Sequence, residues 1–192
     1  CSSAASDVYK RQRYDSNICQ IPSNQVPERK EEVIEYYKEH GDKLGKLMIK
    51  EYPTGTATVQ TLRSHIEKLS LKGFIPQVLI IDYADIMRSS RQYDSMRHEL
   101  KKVYEDLRNL AMEKNLPIWT ASQSNRDSAN SDIVGLENMA ESYGKAQVAD
   151  VVISISRKPA EKAEGFGRLY IAKNRAGRDG IVFPVKLNTA MS

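Results

Sequence analysis

Val78-Leu79-Ile80-Ile81-Asp82 places four aliphatic residues directly before a carboxylate, with Tyr83 and a second acid, Asp85, behind it. An uninterrupted apolar run of this length predicts a strand buried on both faces, as in a parallel sheet covered by helices. A carboxylate at the carboxyl end of such a strand stands where open α/β sheets bind their ligands. The same residue would serve equally well as a cap on the next turn, and the segment alone leaves both readings open.

Outward from this strand, the apolar spacing alternates between helix and strand periods. Upstream, Thr58 opens a predicted helix to about Leu69, with Val59, Leu62, Ile66 and Leu69 on one face. Before it, Leu47-Met48-Ile49 reads as a short strand, and Pro27 to Gly41 as a helix with proline and acids early and glycine at its stop. Downstream, Asp94–Lys114 carries Leu100, Val103, Tyr104, Leu107, Leu110 and Ala111 at helical spacing, ended by Asn115 and Pro117. The strand 118–122 follows, then a polar loop over 125–135, a short helix over 141–148 and a strand over 151–155. Strands at 168–173 and 181–187, with a glycine-rich turn between them, predict a closing hairpin. Alternating strands and helices argue a mostly parallel α/β sheet with an antiparallel edge.

Ser2 to Gln12 is an in-frame translation of a nucleotide string that resembles a widely used sequencing adaptor. Residues 1–12 are therefore set aside from fold reasoning as adaptor-derived, and 13–192 are expected to form one domain, a partial core from a metagenomic fragment. Those first residues hold Asp7, Lys10 and Arg11, so the rest carries +3 of the total +4. That charge is compatible with a polyanion partner but does not demand one. Cys19 is the one cysteine outside residues 1–12, which excludes an internal disulfide there and suits a reducing compartment. No apolar run approaches the roughly 18 residues of a membrane span. The expectation is a soluble cytoplasmic protein, of a bacterial host or a phage-infected cell.

Strand ends are where chemistry is expected. Ser122-Gln123-Ser124-Asn125-Arg126 closes the strand begun at Ile118. A glutamine beside a strand-end acid would orient water or bind a phosphate, since its amide both donates and accepts, although such residues are also ordinary in loops. Ala172-Lys173-Asn174-Arg175-Ala176-Gly177-Arg178 sets three cations on a hairpin tip, from which an arginine would reach the phosphates of a neighbouring subunit or simply stay solvated. No GxxxxGK[ST] loop is present. Its nearest imitation, Gly41-Asp42-Lys43-Leu44-Gly45-Lys46-Leu47, is one residue short, lacks the hydroxyl and precedes a strand. His40, His65 and His98 are scattered without zinc-ligand spacing.

Taken together, LMIKEYPTGTATVQTLRSHIEKL, VLIIDYADIM, LPIWTASQSNR, MAESYGKAQVADVVISI and LYIAKNRAGRDG resemble, in order and spacing, the RecA-like motor domain of DnaB-type hexameric replicative helicases, above all the T-even phage branch. The resemblance spans Arg13 to about Leu187. It implies an α/β, RecA-like, mostly parallel sheet flanked by helices with a C-terminal antiparallel hairpin, lacking its first (P-loop) strand and helix. By the same resemblance Asp82 is the Walker B acid holding Mg2+ through water, and Gln123 senses the γ-phosphate of ATP. Arg175 is the arginine finger acting on a neighbour's ATP, with Lys173 beside it. Glu141, Ser142, Tyr143 and Gly144 match the loop that grips single-stranded DNA, with Arg126 and Lys145 as nearby positive charge. Ala140 and Tyr143 depart from the bacterial arginine and glycine at those places. The family's catalytic glutamate and P-loop would lie upstream of Arg13. The implied protein is an ATP-hydrolysing DNA helicase, a homo-hexamer acting with primase and a loader, with the fragment itself inactive. Two alternatives stay open: another RecA-fold ATPase, recombinase or clock-type, and a non-catalytic pseudo-ATPase that binds single-stranded DNA.

Overall fold

The fold is taken from a computed structural model that describes residues 2–91, 93, 95–124, 133–136 and 143–187, with side chains from Arg11 onward and without that of Tyr143. The chain divides into two compact units, Cys1–Glu51 with Lys186–Ser192, and Tyr52–Val185.

The first unit pairs two helices, α1 (Ser2–Cys19) and α2 (Lys30–His40). Glu31 and Glu32 lie in the first turn of α2 and Lys38 and His40 in its last, the distribution that the helix dipole favours. Ile21, Val26 and Val33 make its small core, with Cys19 and Tyr37 packed against them. The Tyr37 hydroxyl donates to Asp15 Oδ1 at 3.0 Å, and burial, together with that carboxylate, pushes it up to about 12. Gly41–Lys43 forms a single 3-10 turn that continues α2 rather than opening a helix. The strand expected at Leu47–Ile49 does not form. Leu47 and Met48 are exposed, and among the described residues no strand pairs with the segment. An apolar triplet becomes a strand only where a ladder accepts its backbone groups.

The second unit carries the main core. Thr58 caps α3 (Val59–Leu71): its hydroxyl accepts from Thr61 N–H at 3.2 Å, while Thr58 N–H donates to Thr61 Oγ1 at 3.3 Å. A cap of this kind contributes about 1 kcal/mol. α4 (Met96–Lys114) buries Leu100, Val103, Tyr104, Leu107 and Leu110 along one face and ends on Asn115 in the left-handed conformation, φ 48°. These faces pack with Leu116, Ala84 and Met87 against two short strands, β1 (Leu79–Ile81) and β2 (Ile118–Thr120). β1 and β2 pair in parallel, Leu79 with Ile118, Ile80 with Trp119 and Ile81 with Thr120.

β1 is buried on one face, not on both as its apolar run predicts. Leu79 and Ile81 meet the core, but Ile80 is 69% exposed and its ladder partner Trp119 is 54% exposed. Successive side chains point to opposite faces of a strand. Leu79, Ile81 and Ile118 face the α3–α4 core, and Ile80 and Trp119 lie on the opposite face.

A three-stranded sheet follows, of order β3 (Val151–Ser156), β4 (Phe166–Asn174), β5 (Val182–Lys186). β3 and β4 run antiparallel with a bulge between Val152 and Ile153. The β4–β5 turn is tied by Ile171 N–H to Ile181 O (2.9 Å) and Gly180 N–H to Ile171 O (2.8 Å), with Gly180 at φ 73°. Two short helices complete the unit, α5 (Tyr143–Val148) and α6 (Pro159–Glu164). α6 was not expected from the sequence; proline at its start and Gly165 at φ 72° bound it, and Glu161 accepts from Lys158 N–H at 2.8 Å. Parallel and antiparallel pairing are thus both present, as an α/β fold with an antiparallel end requires. Among the described residues no helix is long and apolar enough to cross a membrane.

Candidate functional site

The parallel ladder puts Asp82 and Gln123 just beyond adjoining strand ends, since the last pair in register is Ile81 with Thr120. Both side chains are exposed. Thr120 fastens the two tips together. Its hydroxyl donates to Ile81 O at 3.1 Å and accepts from Ala84 N–H at 2.9 Å, fixing the turn that follows Asp82. The Asp82–Tyr83 peptide is cis. Ala84–Ile86 then forms a 3-10 turn with Ala84 fully buried.

That turn delivers Asp85 inward rather than outward. Its Oδ1 accepts from the Tyr104 hydroxyl of α4 at 2.8 Å, and its Oδ2 from Ser122 Oγ at 2.9 Å and Lys145 Nζ at 2.8 Å. Lys145 also donates to Ser122 Oγ at 3.3 Å and lies 5.9 Å from the centre of the Tyr104 ring. Each charge is thereby matched, as a buried ion pair requires. Burial, reinforced by the neighbouring Asp85 carboxylate, raises the Tyr104 hydroxyl far above its ordinary range. Lys145 was expected to offer positive charge to DNA. It is 1% exposed and its ammonium is bound to Asp85, so it belongs to the interior of the unit.

The far end of α5 is gripped by cations from two directions. Arg108 of α4 donates to Val148 O at 2.7 Å and pairs with Asp150 at 2.9 Å. Lys173 of β4 donates to Ala146 O at 2.8 Å and Gln147 O at 3.0 Å. Carbonyls without helical partners at a helix end are natural acceptors for such groups. Desolvation, and then the nearby Arg175, lower the Lys173 amine. Arg175 pairs with Asp150 at 2.9 Å, the two side chains being 47% and 57% exposed, and its backbone N–H donates to Asp150 O. Asn174 folds over the hairpin turn, accepting from Ala176 N–H and donating to Arg178 O, each at 3.2 Å. A Cβ at Gly177 would sit 2.9 Å from that amide nitrogen, so a larger residue there would have to shift the Asn174 side chain.

The expected site residues therefore fall into two groups. Asp82 and Gln123 follow adjoining β1–β2 tips, and Lys173 and Arg175 lie on the hairpin bonded to the end of α5 and to Asp150. Arg126, Glu141 and Ser142 lie outside the described residues, as does Ala140, while Tyr143 and Gly144 open α5. Among the described residues no cluster of three or more His, Cys, Asp or Glu would hold a metal ion. The sequence reading missed Asp85, Tyr104 and Ser122 as a unit, and Arg108 with Asp150. One signal was available: Tyr104 is the hydroxyl-bearing residue on the apolar face of α4, and a buried tyrosine hydroxyl calls for a partner.

Residues 6–189 match the family model of the DnaB-like helicase C terminal domain. The DnaB-like replicative helicase of Enterobacteria phage T4 is 36% identical over 116 residues, 58% of this chain and 24% of that protein. A probable replicative DNA helicase of Trieres chinensis is 30% identical over 139 residues, 67% of this chain and 30% of that protein. The chain thus spans about a quarter to a third of the length of these curated relatives. Among solved structures, that of a DnaB-like replicative helicase, described with its interactions with primase, superposes with a TM-score of 0.78 over 94% of this chain and 45% of that one, at 16% identity. A second solved structure, an ATPase domain, gives 0.77 over 93% of this chain and 66% of that one, at 18% identity. The fold is shared with both, and the chain belongs to the DnaB-like helicase C-terminal domain family.

Proposed function

We propose that this chain is part of the motor of an ATP-driven replicative DNA helicase, with nucleotide held between subunits of a homo-hexameric ring. The observation that carries the reading is that an exposed carboxylate, Asp82, and an exposed amide, Gln123, follow adjoining tips of a parallel pair. Ligands of open α/β sheets bind at such tips. A lone carboxylate suits Mg2+, which is held by one or two carboxylates together with the nucleotide's own phosphates and water. Bound there, the ion would neutralise phosphate charge. Asp82 would hold one of its waters, and Gln123 would meet the γ-phosphate through its amide.

Arg175 would act as the finger toward a neighbour's ATP. Its present partner is Asp150, and an ion pair between two half-exposed groups contributes only about 0–1 kcal/mol, so a phosphate would displace it at little cost. Lys173 would brace the base of that turn against α5. Residues 141–144 and Arg126 are proposed to face single-stranded DNA, whose phosphates make such a grip insensitive to sequence and sensitive to salt. Primase and a loader are the expected partners in the replisome of a bacterial or phage-infected cell, and residues 13–192 the native part of the motor.

The test uses the complete protein that contains this chain. Arg175→Ala should lower ATP hydrolysis by about 10³–10⁵-fold, as loss of a finger does elsewhere, and abolish unwinding while ATP still binds. Unchanged unwinding would remove Arg175 from the site. Strand exchange without unwinding would favour a recombinase, and binding of single-stranded DNA without hydrolysis would favour a non-catalytic subunit.

A further inference from the structure

The two groups of candidate residues share no element, yet one six-residue helix touches the supports of both. Near its start, α5 is keyed to the β2 tip through Lys145, whose ammonium bonds Asp85 and the hydroxyl of Ser122, the residue immediately before Gln123. At its end, the carbonyls of Ala146 and Gln147 take the Lys173 ammonium, two residues before Arg175 on the hairpin. Asp150, just past α5, takes the Arg175 guanidinium itself. Arg108 holds the same end to α4.

These links differ in character. The Lys145–Asp85 pair is buried, and Ser122 donates to the carboxylate while accepting from the ammonium, so the two sides cannot slide past each other without leaving a charge unmatched. The Arg175–Asp150 pair is half-exposed and easily exchanged. A device fixed at one end and releasable at the other passes displacement toward the releasable end.

We infer that α5 is a positioning relay, with Asp85, Ser122 and Lys145 as its fixed end. It carries a nucleotide-dependent shift of the β2 tip to the Lys173–Arg175 hairpin, and so connects a subunit's own ATP to the finger it offers its neighbour. The inference rests on the reading of Asp82 and Gln123 given above. Two-state coupling through packed, hydrogen-bonded elements is the physical form such a connection takes.

Hydrogen–deuterium exchange on the complete protein, with and without a non-hydrolysable ATP analogue and Mg2+, separates the two claims. An Arg175→Ala background removes any direct contact of the hairpin with a neighbour's nucleotide. There the analogue should slow exchange at 121–124 and, in concert, at 143–148 and 173–176. Adding Asp85→Asn should leave the response at 121–124 and abolish it at 143–148 and 173–176. Asp85→Asn leaves a buried ammonium and risks misfolding, so Ser122→Ala, which keeps the ion pair, provides a second variant. It should lose most of the α5 response while still unfolding in one cooperative transition, destabilised less than Asp85→Asn because the ion pair stays matched. No response at 121–124 in the parent would sink the nucleotide reading and the relay with it. A response at 121–124 alone, or one at 143–148 that survives both variants, would overturn the relay and leave the nucleotide reading standing.

Discussion

Asp82 and Asp85 leave β1 within three residues of one another and enter opposite surroundings. Asp82 is exposed at the strand tip beside Gln123, whereas Asp85 turns inward to Tyr104, Ser122 and Lys145. The turn that parts them is set by Thr120, whose hydroxyl takes the Ala84 N–H and fixes the 3-10 geometry. One carboxylate is thereby available to a ligand, and the other organises the elements on which the first depends. The difference teaches that charge and position along a strand locate a candidate ligand group, while the groups that hold it in place are recruited from far along the chain.

If Asp85 is structural, removing its partner should be the most costly of the changes considered. Lys145→Met leaves a mostly buried carboxylate with hydroxyl donors only, and breaking such a pair costs about 3–5 kcal/mol. Urea denaturation of the complete protein measures it. The double variant Asp85→Asn/Lys145→Met restores charge balance and should recover the larger part of the loss. A double variant as unstable as the single would mean that packing around the lysine stem, rather than the pair, holds α5.

Tyr104→Phe sharpens the same side of the comparison. It removes one donor to Asp85 Oδ1 and should cost about 1.5–3 kcal/mol, the range for hydrogen bonds to charged groups. It also predicts a pH signature. Burial and Asp85 raise the Tyr104 hydroxyl in the folded state above its ordinary 10.0, so the folded protein keeps a proton that the unfolded chain releases. The stability this contributes is whole below about pH 10. It is lost as pH rises further. Tyr37, pushed up to about 12, loses its share between pH 10 and that value, so the informative quantity is wild type minus Tyr104→Phe in stability measured across alkaline pH. Parallel curves for the two proteins would show that neither burial nor Asp85 raises the hydroxyl in the folded state.

The parts legible in the sequence were those decided by near neighbours. Thr58 heads α3 because a threonine hydroxyl reaches the Thr61 amide three residues on, and Asn115 stops α4 because asparagine tolerates positive φ. The apolar run before Asp82 placed β1 for the same reason. What escaped depends on distant or missing partners. Lys145 and Asp85 are 60 residues apart, and nothing near Lys145 distinguishes a buried lysine from a DNA-facing one. Leu47–Ile49 has the composition of a strand and no ladder among the described residues. Ile80 looks like core until the faces of its sheet are known. α6 had its signals, proline first and glycine just past the end, but six residues give too short a window for apolar periodicity to register.

Asp82 marks the other end of the scale. Asp82→Asn is nearly isosteric on an exposed side chain, and surface substitutions of this kind move stability by less than about 0.5 kcal/mol. Activity should respond far more. The amide is a poor partner for a water bound to Mg2+, so ATP hydrolysis by the complete protein should collapse while its denaturation curve overlays that of wild type. The opposite pairing, a destabilised protein that still hydrolyses ATP, would make Asp82 a cap for the turn at Tyr83 and move the ligand-bearing carboxylate elsewhere. Asp82→Asn should show loss of function without loss of fold, whereas Lys145→Met loses both, because the element it anchors is bonded to Ser122, the residue before Gln123.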